Sequence, residues 1–195
     1  FVEKNKDKPF FLYLPHTMPH IPLYVPEDVL DPDPKNAYKC VIEHIDAECG
    51  RIFKTIRDLK LEKDTYIIFT TDNGPWLNYG NHGGSAGGLK EGKGTVFEGG
   101  FRVPCIMTWP GVIPAGTICS QIASSIDILP TLAEIAGTGM PEKEIDGISL
   151  FPLLKGDLKD TVRGEFFFYS GRTLRAVRSG NWKLVFPHTY NTNVG

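Results

Sequence analysis

Tyr66-Ile67-Ile68-Phe69-Thr70-Thr71 is a compact apolar run without alternation, and it ends directly in Asp72-Asn73-Gly74. Such a run is what a strand covered on both faces requires. Upstream, Val41, Ile42, Ile45, Cys49, Ile52, Phe53, Ile56 and Leu59 recur at spacings of three and four, which predicts an amphipathic helix over Ala37 to Leu61 of about six turns. A helix that feeds a buried strand through a charged turn (Glu62-Lys63-Asp64) suggests a doubly wound α/β sheet. Phe10 to Leu14 reads as a further strand, ended by Pro15 and followed by a Pro- and His-rich loop through Pro26.

Downstream of the run, Gly74 to Gly100 is a long polar segment with nine glycines from Gly80 onward, too Gly-rich for a regular helix. A loop of that length inside a compact domain points to function or disorder. Val103 to Trp109 returns to strand character, and Ser125 to Ala136 reads as a helix with Asp127 in its first turn and Gly137 as its stop. A short apolar segment follows at Leu150 to Leu154. Phe166 to Tyr169, Leu174 to Val177 and Trp182 to Phe186 are strand candidates, the last two joined by Arg178-Ser179-Gly180-Asn181 as a hairpin turn.

Bulk properties narrow the function classes. The chain has 195 residues, 41% hydrophobic and 23% charged, enough for one sizeable core and unlike a disordered segment. A formal net charge of -2, from 21 basic and 23 acidic residues with no polybasic tract, gives no reason to expect nucleic acid. No stretch is long and apolar enough to span a bilayer. The start, Phe1-Val2-Glu3-Lys4, has neither an initiator Met nor a signal-peptide core, so it is read as a processed end or a fragment, and the compartment stays open. Of the four cysteines, Cys40 and Cys49 on one helix would stand roughly 13 to 14 Å apart. That is beyond disulfide reach, and free thiols are expected throughout.

Several residues have the chemistry for a site. Asp72-Asn73-Gly74 lies where a buried strand ends, the edge at which open α/β sheets bind ligands. A carboxylate beside a carboxamide supplies hard oxygen donors suited to Ca²⁺ or Mg²⁺, and no neighbouring His or Cys points to zinc. The same tripeptide also reads as an ordinary turn, because Asn-Gly is a turn dipeptide. His20 is flanked by Pro19 and Pro22, which restrict the backbone that presents its imidazole; His16 competes for the role. Lys93, framed by Gly92 and Gly94, is suited to approach an oxyanion, or is a solvated lysine in a loop. The run Gly87 to Thr95 misses the phosphate-loop pattern, since Gly94 stands where that motif needs Ser or Thr. No Gly-x-Ser-x-Gly elbow is present.

Pro15-His16 through His20-Ile21-Pro22-Leu23, Phe69 through Pro75, Gly92-Lys93-Gly94-Thr95 and Glu98 through Pro104 occur in the order seen in type I sulfatases, and the chain resembles that arylsulfatase A-like family. The likeness continues through Ser125 to Leu132 and Asp146 to Leu150, and so covers most of the chain. It implies an alkaline phosphatase-like fold, a mixed sheet between helices that is incomplete here, followed by a smaller antiparallel sheet. Residues 1–160 would be the C-terminal part of the catalytic domain, and 161–195 the start of the smaller subdomain. It further implies that Asp72 and Asn73 ligate Ca²⁺, with Mg²⁺ the lesser candidate. Lys93 would contact the sulfate and balance charge on the leaving oxygen. His20 would contact the sulfate or donate a proton, and His82 would reach toward the leaving group from the Gly-rich loop. The substrate would be a sulfate ester of a small molecule or of a glycan, and the compartment periplasmic, secreted or lysosomal.

One expected motif is absent. Family members carry C-x-P-S-R or S-x-P-S-R, whose Cys or Ser becomes formylglycine, the hydrated aldehyde that attacks sulfur. Neither pattern occurs in these residues. The chain is therefore read as a sulfatase fragment whose chemical partner is the N-terminal part of its parent chain. Two other readings fit the same residues: a non-catalytic module that binds sulfated glycans, and a phosphodiesterase-type relative. The second normally needs an Asp-His pair where Asp72-Asn73 stands.

Overall fold

The computed structural model describes residues 1–140, 142–156 and 162–190. Helices run over Val2–Asn5 (α1), Ala37–Asp58 (α2), Glu98–Phe101 (α3), Ile128–Ala136 (α4) and Phe151–Leu154 (α5). Strands run over Ile67–Thr70 (β1), Cys105–Thr108 (β2), Glu165–Ser170 (β3), Thr173–Ser179 (β4) and Trp182–Val185 (β5). Two compact units interleave along the chain, Phe1–Tyr66 with Asn73–Val103, and Ile67–Asp72 with Pro104–Tyr190. The boundary expected at 160/161 touches residues 157–161, outside the described residues.

In the first unit, α2 follows the apolar stripe and buries Cys40, Val41 and Ile56. It ends three residues earlier than the stripe predicts. Leu61 N donates to the Ile56 carbonyl at 3.0 Å and Lys60 N to that of Arg57 at 2.9 Å, while Lys60 takes φ 59°. This is a Schellman stop built on lysine rather than glycine, so no sequence cue marks it. The strand expected at Phe10 to Leu14 does not form. Phe11 and Tyr13 are 71% and 75% exposed, and these residues join no ladder among the described ones. Apolar, β-prone residues become a strand only when a neighbour completes their hydrogen bonds.

In the second unit, β1 pairs antiparallel with β2, Ile67 opposite Thr108 and Thr70 opposite Cys105. Thr70 Oγ1 also donates to the Pro104 carbonyl at 2.9 Å. Every ladder among the described residues is antiparallel, so the doubly wound pairing expected from the helix-strand order is not what these strands make. Nor is β1 covered on both faces: Phe69 is 42% and Ile106 64% exposed. The three C-terminal strands form a meander in the order β3-β4-β5. Its second turn is tighter than the sequence reading. Ser179 pairs with Trp182, leaving Gly180-Asn181 as a two-residue loop with Gly180 at φ 53°, the backbone that a tight hairpin demands.

The 125–136 segment starts as a 3-10 turn over Ser125–Asp127 and continues as α4. Asp127 accepts from Ser124 N at 2.8 Å, closing the N-terminus, and Gly137 closes the other end at φ 64°. Asp127 is fully buried. It also accepts from Ile148 N at 2.9 Å and pairs with the Arg163 guanidinium. Thr131 Oγ1 accepts from Leu150 N at 2.8 Å. The 146–150 segment is thus fastened to α4 through polar groups, and Leu150, Leu153, Leu154, Ala133, Phe168 and Ala176 are buried in this unit. All four cysteines are free thiols. Among the described residues no helix is long and apolar enough to cross a membrane.

Candidate functional site

Glycines shape the loop that carries Lys93. A Cβ at Gly74 would fall onto the Gly99 carbonyl, one at Gly99 onto the Glu91 carbonyl, and one at Gly100 onto that of Thr95. Close approach of backbone to backbone is what glycine permits there. The closure is fastened by Gly74 N donating to Gly100 O at 3.0 Å and Lys93 N donating to Pro75 O at 2.8 Å. Thr95, buried, donates its hydroxyl to the Gly92 carbonyl at 3.0 Å. The Gly-rich segment is therefore an ordered coil folded against residues 74–76, not a loose loop.

The Pro-rich loop delivers His20 to the same place. His20 Nε2 lies 2.8 Å from Lys93 Nζ, across 73 residues of sequence. Its Nδ1 lies 2.7 Å from the Ile21 carbonyl. A carbonyl only accepts, so Nδ1 carries the ring proton and Nε2 accepts from the Lys93 ammonium. Trp76 sits beside both. Lys93 Nζ is 4.8 Å from its ring centroid and His20 packs edge-on at 5.8 Å. An ammonium over an indole face is attracted by the ring quadrupole. The sequence reading paired His20 with Lys93 but missed Trp76, which follows Asp72-Asn73-Gly74-Pro75 directly; a tryptophan immediately beyond a loop motif was the available signal.

Trp76 also reaches the other way. With Tyr79, 4.8 Å away edge-on, and Tyr24 it walls a cavity of about 560 Å³ whose other sides are the apolar Ile21, Pro22, Leu23 and Ala37 and the imidazole of His82. His82 Nε2 lies 2.9 Å from the Pro34 carbonyl, so the ring is anchored to its own unit's backbone. His16 is exposed. A second cavity, of about 410 Å³, lies in the other unit beside Arg163 and Arg178 and holds none of the candidate residues.

Asp72 and Asn73 follow β1 by two and three residues. The Asp72 carboxylate is exposed, with Thr71 Oγ1 at 3.4 Å, and Asn73 is half-buried. Among the described residues, no three His, Cys, Asp or Glu side chains converge on one point. One carboxylate and one carboxamide fit Ca²⁺ chemically, but the ion takes six to eight oxygens. These two residues fit as part of a ligand set.

Three comparisons bear on this arrangement. Residues 1–138 match the family model for sulfatase, and residues 91–192 match that for the C-terminal part of N-sulphoglucosamine sulphohydrolase. Arylsulfatase A of Bos taurus is 39% identical over 94% of this chain and 37% of its own length. N-acetylgalactosamine-6-sulfatase of Canis lupus familiaris is 39% identical over 95% of this chain and 36% of its own length. The chain thus spans just over a third of the curated relatives it matches. A solved structure from a Bacteroides thetaiotaomicron locus for glycosaminoglycan metabolism superimposes with a TM-score of 0.84, at 28% identity, over 97% of this chain and 41% of that one. The fold is accordingly the alkaline phosphatase-like α/β fold of these relatives. The chain belongs to the sulfatase family.

Proposed function

We propose that these residues form the sulfate-gripping side of a sulfuric ester hydrolase. The observation that carries this reading is the 2.8 Å approach of His20 Nε2 to Lys93 Nζ, two groups that only the folded chain brings together. Lys93 holds a positive charge where a sulfate oxygen and the developing charge on the leaving oxygen can be neutralised. His20, oriented by its Nδ1 contact to Ile21, accepts from Lys93 through Nε2, and once it takes a proton at Nε2 it donates to a sulfate oxygen or to the leaving oxygen. His82 stands by the leaving group. Asp72 and Asn73 would hold calcium, magnesium less well, and the ion when bound supplies further charge stabilisation.

These residues lack the formylglycine motif, so the nucleophile comes from the N-terminal part of the parent chain, and the 195 residues alone release no sulfate. Residues 1–160 then belong to the catalytic domain, with 161–195 opening a smaller antiparallel subdomain. The test uses the full-length protein with formylglycine installed. Lys93→Ala should lower kcat/KM on an aryl or sugar sulfate by about 10²–10³-fold, the range for loss of one pre-organised charge donor. An unchanged rate would remove Lys93 from the mechanism. Full-length protein that binds a sulfated glycan without hydrolysing it would replace this reading with a binding module.

A further inference from the structure

We infer that Trp76, Tyr79 and Tyr24 form a platform for the leaving group, and that this group is a hexopyranose ring rather than an aryl or sterol; the inference rests on the function proposed above. Trp76 joins two places. It contacts Lys93 and His20, and it lines the 560 Å³ cavity, so a substrate whose sulfate sits at that pair extends along Trp76 into the cavity. The volume lies within the ordinary range of small-molecule sites.

The chemistry of the walls selects the ring. Tyr24 and Tyr79 are 68% and 49% exposed, and aromatic side chains that line a cavity and remain open to solvent offer faces for an apolar partner together with hydroxyls that both donate and accept. His82 Nε2 donates to the Pro34 carbonyl, which leaves its Nδ1 lone pair as an acceptor. A pyranose presents an apolar C–H face and a rim of hydroxyls, and so meets both kinds of group. Ile21, Pro22, Leu23 and Ala37 add apolar wall that accepts a pyranose C–H face as well as an aryl ring, so the phenols and the imidazole are the groups that favour the sugar: an aryl or sterol ring replaces none of their hydrogen bonds.

The test compares two probes on full-length protein with formylglycine installed: galactose 6-sulfate and 4-nitrophenyl sulfate. The double variant Tyr24→Ala with Tyr79→Ala leaves His20 and Lys93 in place. It should lower kcat/KM on galactose 6-sulfate by about tenfold or more, mainly through KM, and change 4-nitrophenyl sulfate turnover less than about threefold. Free galactose should inhibit the parent protein and not the variant. Equal losses on both probes, or no loss on the sugar, would overturn the platform while leaving the sulfate grip intact. Hydrolysis of neither probe by the parent protein would overturn the function itself, and the platform with it.

Discussion

Gly99 sets how closely the Lys93 loop can fold. A methyl group there would occupy the space of the Glu91 and Lys90 carbonyls, so the backbone itself must shift. Gly99→Ala should cost about 1–3 kcal/mol or more, read as a lowered urea midpoint of the full-length protein, with loss of sulfate release in step. Lys60 makes the opposite case. Its φ of 59° is a left-handed conformation that glycine adopts freely, and Lys60→Gly should stabilise by a few tenths to about 1 kcal/mol in the same experiment. Cys105 is exposed as a residue, yet partial desolvation of its sulfur pushes the thiol above the usual range, outweighing a hydrogen bond with Thr70 that acts the other way. A raised thiol pKa favours the protonated form in the fold, so its contribution to stability is present below the unfolded value and lost as pH rises through the thiol range. Alkylation of Cys105 at pH 8, followed by mass spectrometry, should be slower in the native protein than in urea.

At the scale of elements, α4 depends on polar anchoring as much as on its apolar face. Asp127, with no exposed surface, closes the helix start, holds Ile148 N and faces Arg163, whose side chain is 12% exposed. Removing one member of such a buried pair strands the other charge. Asp127→Ala should destabilise the full-length protein by about 3–5 kcal/mol in chemical unfolding, and a loss below about 1 kcal/mol would show that the ion pair is not structural. The two sequence blocks around Ser125 and Asp146 that resemble the family are thus fastened together in the fold. They meet each other through Asp127 and Thr131.

At the scale of the whole molecule, apolar surface is abundant. Ile118, Trp182, Ile106 and Leu184 are 87%, 85%, 64% and 63% exposed, and Phe11 and Tyr13 are open as well. The 195-residue chain expressed by itself should self-associate, and a monodisperse monomer in light scattering would contradict this. Local patterns determined much of this protein: the α2 stripe, the Gly137 stop, the hairpin around Gly180, and the ordered motif blocks that mark a sulfatase are all short-range signals. Tertiary structure alone decided that Phe10 to Leu14 joins no strand among the described residues, that β1 pairs antiparallel with β2, and that Trp76 bridges the His20 and Lys93 pair to an aromatic cavity. The reason is physical. A helix stripe or a turn glycine is set by neighbours a few residues away, whereas strand pairing and a site assembled across 73 residues depend on which distant backbones come to lie side by side.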